Sequence, residues 1–239
     1  DEGIYVYVQL NGGWPWEARK MLPDYWDYNH PKAQKIHMRT IMEHYNPYTN
    51  MSYKDDPQFV FSQITNEQSF HSKWRGYSNG IWNDSYGVYT DLITGHFQDW
   101  VIEKYPTFEE LNNSWVESNV PVFYAGEELN YPNNIQIVKW DDWENFSNVR
   151  FQDTTIFLAD LHENYYIEFR DFLVDDVGVK SLILPNNHYY GMAELERRQV
   201  TDVIDQHSYY GHPRQPNNGG EVMIKTPEVK SPNKNIISY

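Results

Sequence analysis

Three places in the sequence put amide, carboxylate or imidazole side chains directly after an apolar run. Asn11 follows residues 3–10, Asn66-Glu67 follows residues 58–65, and Asp205 and His207 follow the Val203-Ile204 pair. Convergence of polar groups from several strand ends is how parallel α/β enzymes assemble a site. A glutamate among aromatics, as Glu67 is after Phe59 and Phe61, has the setting in which desolvation makes a carboxyl a general acid. Asn66 beside it would orient a hydroxyl of the ligand. Val203, Asp205, His207 and Tyr209 share one face of an extended segment, so Asp205 could fix His207, and His207 or Tyr209 could bond a reacting carboxylate. Two plainer readings stand beside these. Asn66-Glu67 could open the next helix as a cap pair, and Asp205-Gln206-His207 could be a satisfied buried polar pair.

Other chemistries find little support. Asp205, His207 and His212, with His188, are a candidate metal set, but their spacing is no zinc signature and no His-Glu-x-x-His occurs. No Gly-x-Ser-x-Gly elbow and no glycine-rich phosphate loop is present. Zero cysteines exclude disulfides, thiol catalysis and thiolate metal sites. No cofactor is expected.

Four runs read as buried strands of a parallel sheet: residues 3–10, 58–66, 181–186 and 202–208. Helices are expected between them. Pro31 opens one that runs to about Tyr45, another covers residues 87–104, and Thr107 caps a short segment through Leu111. The strongest helical pattern spans residues 151–176, where Ile156, Leu161, Tyr165, Phe169, Phe172 and Leu173 recur at helical spacing and Gly178 is placed to end it. A short helical piece covers residues 192–199. Loop insertions are expected near residues 12–30, 71–86 and 119–152. Strand and helix order alone fits a doubly wound sheet as well as a barrel.

Composition narrows the partner. The 239 residues suffice for one large domain, and 40% hydrophobic content excludes wholesale disorder. A net charge of -15 with no Lys/Arg cluster argues against nucleic acid, and no apolar run approaches membrane-spanning length. Twenty Tyr, nine Trp and eleven Phe are the unusual feature, and core packing accounts for most of them. Their excess suits a cleft that stacks on sugar rings. Trp14, Trp16, Trp74, Trp82, Tyr209 and Tyr210 are the candidates for its walls, with core packing the plainer reading of any single one.

These residues also carry a family resemblance. Tyr53-x-Asp55-Asp56-Pro57 followed by Ile64-Thr65-Asn66-Glu67-Gln68-Ser69 resembles the fourth strand of the retaining glycoside hydrolase clan with a (β/α)8 TIM barrel, the cellulase and β-galactosidase superfamily. Asp202-x-x-Asp205-x-His207-x-Tyr209-Tyr210-x-His212-Pro213 resembles its sixth strand, residues 182–187 its fifth and residues 3–11 its third. The resemblance implies an α/β fold that is an incomplete internal segment of the barrel, acting on a polysaccharide or oligosaccharide. It implies Glu67 as general acid/base, with Asn66, Asn11, Asp205, His207 and His212 supporting. A secreted, periplasmic or cell-surface bacterial location goes with that activity.

The clan's nucleophile is a glutamate ending strand seven. Glu221 and Glu228 do not fit its context, so the nucleophile is expected outside this chain, in the remaining segments of the same barrel or in a homo-oligomeric partner. The isolated segment is then expected to be inactive. Two alternatives remain open: a non-catalytic carbohydrate-binding or degenerate glycosidase-like protein, and a metal-dependent barrel hydrolase.

Overall fold

The computed structural model describes residues 3–10, 29–67, 69–75, 87–187 and 191–207. Three short strands form a parallel sheet: β1 (Val6–Gln9), β4 (Phe59–Gln63) and β5 (Leu182–Leu184), in the order β1-β4-β5. β-Branched and aromatic residues make up most of β1 and β4, as a pleated, half-buried surface favours, and β5 is Leu-Ile-Leu. Gln9 pairs with Gln63, and Gln63 with Leu184, so the three strands end level with one another. Pairing runs on past them: Leu10 N–H donates to Gln63 O, Ile64 N–H to Leu184 O and Thr65 N–H to Pro185 O. Among the described residues the sheet is open, a mixed α/β arrangement consistent with part of a TIM-like barrel.

The fourth expected strand, residues 202–208, is not a strand within its described part. Asp202 explains why. Its Oδ2 accepts the Ile183 N–H at 2.8 Å, while Asp202 N–H and Val203 N–H both turn to Ile183 O. One residue of β5 thus spends both its backbone groups on a single spot, and a regular ladder cannot start. The segment still runs beside β5, since His207 N–H reaches Asn187 O at 2.5 Å.

The crossover from β1 to β4 contains α1 (Asn29–Met42) and a short hairpin of β2 (Tyr45–Asn46) and β3 (Met51–Ser52). Among the described residues, four α-helices lie between β4 and β5: α2 (Phe70–Trp74), α3 (Gly87–Lys104), α4 (Phe108–Trp115) and α5 (Asn148–Asp171). α2 occupies the start of the expected 71–86 loop. α4 begins with a full capping box, Thr107 accepting Glu110 N–H and Glu110 accepting Thr107 N–H. Ser147 caps α5, which continues as a π-helical turn over Phe172–Val177 and stops at Gly178, whose φ of 79° lies in the left-handed region.

α5 joins two cores. Its first half packs Phe157, Leu158 and Leu161 against α2, α3 and α4, through Phe70, Trp74, Phe97 and Trp115. Its second half packs Tyr165, Tyr166 and Phe169 against α1 and the sheet, through Met38, Met42, Ile64 and Ile183. At 24 residues it is about 36 Å long, enough to serve both. After β5 come α6 (Met192–Arg197) and one 3-10 turn, Arg198–Val200.

Candidate functional site

β4 ends and the chain turns. Asn66 and Glu67 follow within four residues of Gln63, and Glu67 takes a φ of 51°, a left-handed conformation that costs a non-glycine residue about 1 kcal/mol. Glu67 N–H donates to Asn187 Oδ1 at 2.9 Å. Asn187 Nδ2 donates in turn to Asn66 Oδ1 at 2.7 Å and to Gln63 Oε1 at 3.3 Å. Asn66 Oδ1 also accepts Gln9 Nε2 from the end of β1 at 2.9 Å. One amide thus joins the ends of β4 and β5, and Asn66 extends the chain of bonds to β1.

The Glu67 side chain meets His207, with Oε1 3.1 Å from Nδ1. Both remain open to solvent, at 41% and 29% exposure, so the carboxylate is held in place without being sealed off. The cap reading of Asn66-Glu67 fails here. α2 starts at Phe70, and Ser69 Oγ accepts Ser72 N–H, the bond of an N-cap.

Asp205 lies at the same site but not as an orienter of His207. Its Oδ1 accepts the Gln206 N–H at 2.7 Å, and its carboxylate faces the Tyr7 hydroxyl. Tyr7 also shares side-chain hydrogen bonds with Gln9 and Asn187. Burial first, and then the Asp205 charge, push the Tyr7 pKa up to about 12. The phenol therefore stays a donor across the physiological range.

Trp74 requires a correction. As a cleft wall it would be exposed, but it is 1% accessible, packs on Trp140 and Phe151, and donates Nε1–H to Val138 O. It is a core residue. Asn11, Trp14, Trp16, Trp82, Tyr209, Tyr210 and His212 lie outside the described residues, as do His188, Glu221 and Glu228. Among the described residues no group of three His, Cys, Asp or Glu side chains is arranged to hold a metal ion, and no helix is long and apolar enough to cross a membrane.

Sequence reading missed Gln9, Tyr7 and Asn187. Their signal was position: Gln9 pairs with Gln63, Tyr7 lies two residues before Gln9 opposite Phe61, and Asn187 three residues beyond Leu184.

The fold is similar to that of the β-galactosidase from Bacillus circulans sp. alkalophilus. The match has a TM-score of 0.52 at 20% sequence identity over 80% of this chain. The chain spans 25% of that protein's length. No protein-family model and no curated protein matches the sequence.

Proposed function

We propose that this chain carries the acid/base half of a carbohydrate-hydrolysing site, with Glu67 as the general acid and base of a retaining mechanism. The observation that supports it is the setting of Glu67. It is a solvent-reaching carboxylate at the end of the central parallel strand, its N–H taken by Asn187 and its Oε1 by His207. The likeness of fold to a β-galactosidase agrees with that reading.

In this reading the protonated Glu67 gives its proton to the leaving glycosidic oxygen, and the resulting carboxylate then takes one from the attacking water. His207 Nδ1 is placed to stabilise the carboxylate form after transfer. Asn66, bonded at Oδ1, has its Nδ2 left to donate to a sugar hydroxyl. A second carboxylate about 5 Å away must attack the anomeric carbon, and we assign it to a part of the protein outside the described residues.

The test is Glu67→Gln in the full-length parent, assayed on a series of aryl and alkyl glycosides. Loss of the acid should cost roughly 10²–10⁴ in turnover on poor leaving groups and far less on activated ones. Equal turnover of wild type and variant across the series would refute the role. Binding of an oligosaccharide without cleavage by the wild-type parent would instead favour a binding-only protein.

A further inference from the structure

α6 and the turn after it carry charge into the interior. Glu194 and Arg198 are both inaccessible to solvent, with Arg198 Nη2 3.2 Å from Glu194 Oε1. Removing two charges from water costs several kcal/mol each unless every remaining bond is made, and an apolar pair of similar volume often serves stability as well. Stability alone therefore does not account for a buried pair here.

What the pair touches does account for it. Glu194 Oε2 accepts Ser69 Oγ–H at 2.6 Å, and the Nδ1 atoms of His71 and His162 each lie 3.4 Å from a Glu194 oxygen. Burial acts to raise the Glu194 pKa, but the two histidine rings beside it overcome that and leave the carboxyl well below its usual range. Arg198 Nη1 donates to Asn186 O at 2.8 Å and faces Asp205 O at 3.4 Å. Ser69 is two residues beyond Glu67, Asn186 precedes Asn187, and Asp205 is two residues before His207. One ion pair therefore grips all three segments that meet at Glu67. On the outer side of α6, Arg197 bonds Asp160 of α5 through Nε and Nη2, which fixes the helix that carries the pair.

The irregular 202–207 segment is where such a grip matters. Among the described residues its backbone bonds β5 through Asp202 and Val203, and then Asn187 beyond β5 through His207. Between those points the Asp205 carbonyl rests on Arg198. The planar guanidinium fork can span two carbonyls and a carboxylate at once, whereas a lysine presents a single point.

We propose that Arg198 is a positioning residue: through the carbonyls of Asn186 and Asp205 it sets Asn187 and His207 on either side of Glu67. The catalytic meaning of that placement rests on Glu67 being the acid/base; the placement itself does not. The experiment is a double-mutant cycle read by side-chain nitrogen NMR of His207, comparing wild type, Glu67→Gln, Arg198→Lys and the double variant in the full-length protein. Glu67→Gln should displace the His207 Nδ1 resonance, and in the Arg198→Lys background that displacement should fall by about half or more. An equal displacement in both backgrounds overturns the proposal.

If Arg198→Lys does not fold, amide exchange of wild-type His207 decides. A gripped segment should exchange as slowly as the paired Ile64 and Thr65 amides, roughly 10³-fold below a free chain. Exchange near the free rate overturns it. A lost NMR coupling in a parent without hydrolase activity would leave the clamp and remove the enzyme reading. Hydrolysis abolished by Glu67→Gln, with coupling indifferent to Arg198, would do the reverse.

Discussion

Replacing Asn187 by alanine removes a side chain that touches both Asn66 and Glu67. Asn187 is completely buried, and its amide accepts Glu67 N–H and donates to Asn66 Oδ1 and Gln63 Oε1. Each such bond contributes about 1 kcal/mol net, and more where the partner is left dry. The losses, which include the bond to Tyr7, are not equal, and Tyr7 keeps Gln9 and Asp205. Asn66 Oδ1 keeps Gln9, the Gln63 bond is long at 3.3 Å, and Glu67 lies where water can reach it. The expected cost is therefore about 2–3 kcal/mol, toward the upper part of the ordinary range for a point substitution. For a chain of this size that lowers the melting temperature by roughly 5–10 °C. Asn148→Ala, which removes a surface amide bonded to Glu117 at 3.4 Å, is the control and should shift it by less than about 2 °C. Differential scanning calorimetry of both variants reads the difference. If Asn187→Ala melts within about 1 °C of wild type, the amide is not holding the strand ends together and the account of the site is wrong.

Two further perturbations probe the buried charges. Burial holds the His162 pKa below the usual histidine value against the opposing pull of Glu194. Between that lowered value and about 6.5 the unfolded chain binds a proton that the folded chain excludes, so stability falls as pH drops through this window and is flat above it. Urea midpoints taken from neutral pH downward should fall in wild type and fall less in His162→Gln; parallel curves would show that His162 does not set the slope. Far from the site, Arg150 and Glu127 form a buried two-bond ion pair at 2.6 and 2.7 Å, and Glu127→Leu alone should cost about 3–5 kcal/mol by stranding the guanidinium. Adding Arg150→Met should recover most of that loss in guanidinium chloride melts, and a double variant no better than the single one would contradict the argument.

The helices were legible where their signal is local. α5 and the π-helical turn that continues it carry six apolar residues at helical spacing over about five turns, and Gly178 supplies the left-handed residue their end requires. Thr107 and Glu110 declare the start of α4 three residues apart. α2 escaped because five residues do not complete two turns, so no period can be read from them. Trp74 was misread for a related reason. A tryptophan in an aromatic stretch looks the same in sequence whether its ring lines a cleft or, as here, fills the space between Trp140 and Phe151. The 202–208 run has a strand's composition, and a single carboxylate, Asp202, diverts the bonds that would have made it one.

Within the site, Glu67 could be singled out because a carboxylate after an apolar strand stands out by type. Gln9, Tyr7 and Asn187 could not, since uncharged polar residues acquire meaning only through register, and register brings Asn66 to partners 57 and 121 positions away. The turn at Glu67 also overrides the alternation that the strand suggests. In an extended chain Asn66 and Glu67 would point to opposite faces and could not serve one ligand together. The φ of 51° at Glu67 breaks that rule. It lets the Asn66 side chain and the Glu67 N–H engage the same Asn187 amide, while the Glu67 carboxylate turns to His207. The strain of a left-handed glutamate is offset by Asn187, which is why a buried asparagine 120 positions downstream, and not a residue of β4, holds Asn66 and Glu67 at one place.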